Sequence, residues 1–146
     1  MRFVFGGVLS FVALVFMGCA SDMAAPARNV APKSVYVKKF DCEQSAVGEA
    51  ARNKFIEMLS EMTNARVVMQ ERDAELVIEG AVNVNKMYVI GISSRATSRG
   101  QFVAVGAYEE GYNPRRKRLY TADNMGKLAA NDLIINLWEK GTLGGK

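Results

Sequence analysis

The chain has 146 residues, with 19 Lys or Arg, 15 Asp or Glu, no histidine and a formal net charge of +4; 49% of it is hydrophobic and 23% charged. Once an apolar N-terminus is set aside these are the values of one ordinary folded domain, which excludes a disordered charged tail and a second domain of any size. The absence of histidine removes the usual general base, the Ser-His and Cys-His nucleophiles and the commonest zinc ligand.

In chain order, Arg2 and the α-amino group precede an apolar run from Phe3 to Met17, interrupted only by glycines and Ser10. That run is shorter than the roughly 20 residues of a spanning helix and matches a signal-peptide core of about 7 to 15. It ends in Val15-Phe16-Met17-Gly18-Cys19, which resembles the bacterial lipobox, with Phe16 where leucine is usual. The resemblance implies a signal peptide over 1–18 and lipidation of Cys19, so that the protein is held on a membrane without crossing it. Several acyl chains would hold it firmly, since one gives only marginal binding. Ala20 and Ser21 after the cysteine, in place of an aspartate, imply the outer membrane and its periplasmic face.

Residues 19–33, rich in alanine and carrying Pro26 and Pro32, read as a flexible tether. Its r.m.s. reach is on the order of 20 Å, and roughly 50 Å when fully extended. Ser34 to Phe40 reads as the first strand of a single domain spanning 34–141. Val47, Ala51, Phe55, Met58, Leu59 and Met62 recur at helical spacing through Ser45 to Thr63, with Ser45 as N-cap and Asn64 as a left-handed stop. Ala65 to Gln70 is a short β-prone run. Leu76, Ile78, Gly80, Val82 and Val84 then alternate with Val77, Glu79, Ala81, Asn83 and Asn85, giving the clearest strand.

Met87 to Ile92 continues extended, Ser93 to Gly100 reads as a polar turn or loop, and Gln101 to Glu109 returns as a strand, making a long hairpin. Gly111-Tyr112-Asn113-Pro114 marks a turn and Arg118 to Ala122 a short strand. Ala130, Leu133, Ile134, Leu137 and Trp138 line one face of a terminal helix, which Gly141 stops; 142–146 read as a tail. The order β-α-β-β-β-β-α predicts an α+β two-layer sandwich, a mainly antiparallel sheet with two helices on it.

The strand VYVKKF, the helix AARNKFIEMLSEM, the strand RVVMQ, the piece DAELVIEGAV and the late segment FVAVGAYEEGYNPRRKRLYTADNMGKLAANDLIINLW resemble one small domain. It is shared by the curli-export lipoprotein (CsgG) family, the penicillin-binding-protein activator LpoB, the exopolysaccharide lipoprotein PelC and the N-terminal domain of TolB. The resemblance covers most of Val35 to Trp138. It implies a non-catalytic accessory or assembly component of an envelope export or biogenesis system, with association between copies. The alternative it implies is a regulator that activates a peptidoglycan enzyme. A curli-type channel is disfavoured: Lys86 to Glu109 could supply at most two spanning strands of about 9 to 11 residues, and no second hairpin follows.

No catalytic residue, cofactor or metal is expected. Asp73 and Glu75 flank the start of a strand, Glu109 and Glu110 point to opposite sides if extended, and neither pair makes an acid/base constellation. The phosphate-binding glycine patterns are missing. An exported, mildly basic protein is expected to bind no nucleic acid. Cys42 has no partner once Cys19 is lipidated and is expected to be buried. The candidate contact patch is Arg115, Arg116, Lys117 and Arg118, bracketed by Tyr112 and Tyr120 and suited to anionic headgroups, phosphates or an acidic polymer. Arg95 and Arg99 extend it if the two loops lie at one end.

Overall fold

The structure, a computed structural model, describes residues 29–146. The lipobox, Cys19 and most of the tether lie outside the described residues. Strand β1 (Ser34–Val37) sits between β2 (Arg66–Val67) and β3 (Leu76–Asn85) and runs parallel to both; β4 (Tyr88–Ser98) and β5 (Gln101–Glu109) complete an antiparallel meander. The sheet order is β2-β1-β3-β4-β5. Helices α1 (Ser45–Met62) and α2 (Ala122–Glu139) cover one face, so the α+β sandwich read from the sequence is the fold.

The core lies between those helices and the inward-facing row of the sheet. Val35, Val37, Leu76, Ile78, Val82, Ile92, Ala96 and Ala104 meet Ala51, Phe55, Leu59, Met125, Ala129, Leu133, Ile134 and Leu137, all buried. Burial at every second strand position and every third or fourth helix position is what the two periodicities require. The last part of the predicted first strand bends inward. Phe40 leaves the ladder, is 1% exposed and meets Phe55 edge-on at 4.7 Å. Gly80 makes room for it, since a Cβ there would stand 2.7 Å from both the Phe40 ring and the Ser93 carbonyl oxygen.

Several expected boundaries shift. Gln44, not Ser45, caps α1, and the Ser45 hydroxyl accepts a hydrogen bond from Lys39 Nζ at 2.7 Å. The helix ends at extended Thr63, whose Oγ1 donates to Leu59 O at 2.6 Å. Asn64 is not a left-handed stop; it ties both ends of the domain together. Its Nδ2 donates to Val30 O at 2.7 Å and its Oδ1 accepts from Gly144 N at 3.1 Å. Residues read as tether and tail are therefore docked: Lys33 O accepts from Arg66 N, Gly145 bridges Thr63, and Leu143 is fully buried. Cys42 is half-buried instead of fully enclosed.

The largest difference is in the hairpin. Ser93–Ser98, expected as loop, is the second half of β4. Ser94 and Ala96 point into the core while Ser93 and Arg95 stand on the face that no helix covers, so the alternation is present but carried by small and polar residues. The hairpin turn proper is Arg99-Gly100, both left-handed at φ 50° and 76°, a two-residue reversal that such backbones close tightly.

Candidate functional site

The four-cation run sits in a rigid turn at one end of the sandwich. Pro114–Leu119 is a 3-10 helix, not the start of a strand. Asn113 opens it by accepting from Arg115 N at 3.0 Å, and Pro114 fits the first turn, where no backbone donor is needed. The Tyr120 hydroxyl accepts from Asn113 N at 2.7 Å and donates to Gly111 O at 2.8 Å, closing the loop from the inside. Asn124 Nδ2 holds Arg118 O at 2.7 Å, and Thr121 caps α2 immediately afterwards.

The expected strand Arg118–Ala122 has no ladder to join, because the outer edge of β5 is already satisfied by α2. Asp132 accepts from Ala107 N, Asn136 donates to Val105 O and Lys140 donates to Val103 O. Those three side chains recur at every fourth position, on one helix face. They leave the sheet edge closed to a further strand.

Arg115, Arg116, Lys117 and Arg118 are all exposed. Arg116 is spent on Glu110, whose other carboxylate oxygen accepts from the Tyr108 hydroxyl at 2.9 Å. That hydrogen bond holds the phenol proton and pushes Tyr108 above its ordinary pKa. Arg115, Lys117 and Arg118 make no ion pair among the described residues. Beneath them Tyr88 and Tyr112 stack at 4.6 Å, and Tyr120 closes on Tyr112 at 5.3 Å. Three exposed cations on a fixed backbone, beside the exposed Tyr112 and half-buried Tyr88 over a buried Tyr120, form a surface that can bind extended anionic groups.

Arg95 and Arg99 do not join this patch. Arg95 lies mid-strand and pairs with Glu79, its register partner on β3. Arg99 caps the opposite end of β4, which over its 11 residues separates the two poles by about 35 Å. Proximity of the two loops assumed Ser93–Gly100 was a loop; the extended strand carries the arginines away. The uncovered sheet face also holds a shallow depression of about 490 Å³ lined by Lys38, Asp41, Glu79 and Arg95. Its charges are largely engaged with one another, Lys38 and Arg95 both reaching Glu79. Among the described residues no group of three His, Cys, Asp or Glu is placed to hold a metal, and no helix is long and apolar enough to cross a membrane.

Because the cations point outward and the turn is fixed by Asn113, Tyr120 and Asn124, replacing Arg115, Lys117 and Arg118 together with serine should move the melting temperature by no more than about 3 °C. Thermal unfolding followed by circular dichroism checks this. A loss of 10 °C or so would make the three side chains structural.

The fold defines an α+β two-layer domain with a closed sheet edge and one open sheet face. No protein-family model matches the chain, and no curated protein matches it in sequence. Among solved structures it is similar to the PelC dodecamer from Paraburkholderia phytofirmans. One crystal form matches at 19% identity and a TM-score of 0.50 over 77% of this chain and 93% of that one. A second form matches at 14% identity with the same TM-score, over 79% and 93%. The shared feature is the fold.

Proposed function

We propose that this protein is a non-catalytic lipoprotein of the bacterial envelope, anchored through Cys19 to the periplasmic face of the outer membrane and working as an assembly component of an export or biogenesis system. The observation that supports the reading most is the fold it shares with a protein that forms a dodecamer, over nearly the whole of that protein's length. The lipobox-like Gly18-Cys19 junction supports the anchor. Self-association through other surfaces leaves Arg115, Lys117 and Arg118 available for an acidic envelope partner.

Two measurements on the full chain test this. Mass spectrometry of the Cys19 peptide should show acyl chains that a Cys19→Ser variant lacks. Light scattering of the detergent-solubilised protein should give a mass of several copies. An unmodified Cys19 removes the anchor; a single-copy mass removes the assembly role and favours a regulator that captures a peptidoglycan enzyme.

A further inference from the structure

The chain enters the domain at the end opposite the four-cation turn. Strand β1 runs parallel to β3, with Val35 beside Leu76 and Tyr36 beside Val77, and Val77 in turn faces Thr97 near the end of β4. Lys33 and the Arg99-Gly100 turn therefore share one pole. Lys33 and Arg99 line a common hollow of about 450 Å³ with Glu75, Ser98, Gln101 and Phe102. Helix α2 ends there too, and Lys140 Nζ stands 5.2 Å from the centre of the Phe102 ring.

Phe102 is 61% exposed, while Phe40 and Phe55 are buried. Around it are the cations Lys33, Arg99 and Lys140. Of the acidic groups nearby, Glu75 is engaged by Ser34 N at 3.0 Å and by the Ser34 hydroxyl, Glu71, which shares a neighbouring hollow with Arg99, pairs with Lys38 at 3.1 Å, and Glu139 lies next to Lys140 at the helix end. An exposed aromatic beside Lys33, Arg99 and Lys140 matches the headgroup region of an anionic bilayer, where aromatics settle at the interface and each Lys or Arg adds attraction.

We propose that the Lys33–Arg99–Phe102–Lys140 pole is a lipid-contact surface for anionic phospholipid headgroups, and that the Arg115–Arg118 turn faces away from the membrane. The proposal rests on the reading that Cys19 is the anchor. Val30 O is already held by Asn64 Nδ2, so the segment from Cys19 has 11 residues before it docks, a span of at most about 40 Å, and it joins the domain at this pole. Seating the four-cation turn on the same membrane would require the segment to run back along the roughly 35 Å of the sandwich, nearly its full extension.

The test uses the full chain in phosphatidylethanolamine vesicles with and without phosphatidylglycerol. Single cysteines replace Gln101 or Lys117, and thiol alkylation is read peptide by peptide. Vesicles with phosphatidylglycerol should slow alkylation at position 101 by at least about fivefold and leave position 117 unchanged, the effect shrinking in high salt. Adding Arg99→Ser and Phe102→Ser should abolish the protection, while Arg115→Ser with Lys117→Ser and Arg118→Ser, read at position 101, should not. Equal alkylation with and without lipid overturns the surface, as does protection at 117 in place of 101. Protection at 101 that follows protein concentration in the absence of lipid overturns it as well and makes the pole a contact between copies. The Cys19 peptide from the same digest separates the two readings: acylated Cys19 with an unprotected 101 sinks the lipid surface alone, and bare Cys19 with a protected 101 sinks the lipobox alone.

Discussion

Replacing Gly106 with alanine should destabilise the domain by at least about 3 kcal/mol and lower its melting temperature by roughly 10 to 20 °C. Helix α2 lies directly on this residue. A Cβ at position 106 would stand 2.4 Å from Leu133 Cβ, 2.5 Å from Leu133 N and 2.6 Å from Leu133 Cα. Two of those atoms are backbone, so no change of rotamer relieves the overlap; the helix must lift. Lifting it opens the contact between β5 and the buried Ala129, Ala130, Leu133 and Leu137, and pulls Asp132 and Asn136 off the sheet edge they satisfy. Denaturant unfolding followed by circular dichroism measures the loss. A variant within 1 kcal/mol of the parent would show that α2 does not rest on β5 at this point.

A loss of similar size is expected for Ile78→Asp, about 4 kcal/mol near neutral pH, by a different route. Ile78 is fully buried at the centre of the sheet, paired with Val37 on one side and Ala96 on the other. A carboxylate there loses its water and gains no cation, so burial pushes its pKa above the unfolded value. The sign follows from linkage: the folded state then prefers the protonated form, and the penalty grows as pH rises above the unfolded pKa. The deficit relative to the parent should therefore be smaller at about pH 4 than at pH 7. Paired denaturation curves at the two values check it, and a deficit independent of pH would place the side chain in water.

Much of the scaffold was legible because it follows local periodicity. The alternation of Leu76 to Asn85 and the three-to-four spacing of Phe55, Met58, Leu59, Leu133 and Leu137 named elements that the structure contains, at nearly their predicted bounds. Ser93–Ser98 escaped because its inward residues are Ser94 and Ala96, too small or too polar to register as a buried row. Their size is the reason they are there, for the helices come close over this part of the sheet and Gly106 alone admits Leu133. The candidate patch fared unevenly for the same reason. The run from Arg115 to Arg118 was visible as charge, but the pairing of Arg116 with Glu110 and the removal of Arg95 and Arg99 to other places required the strand register.

By itself the sequence determined the class of fold, the order of its elements, the exposure of the four-cation run and the lipobox-like junction at Cys19. Each is a property of neighbouring residues: helix and strand faces are set by spacing, and consecutive cations cannot be desolvated together without cost. Tertiary structure alone decided that β1 lies between β2 and β3 in a mixed sheet, that α2 side chains close the edge of β5, and that Lys33 and Phe102 share one pole while Arg115–Arg118 occupy the other. These depend on which backbone donors and acceptors find one another across long stretches of chain. Such pairings are fixed only when the whole core closes, because every strand and helix end needs partners that its own segment does not contain.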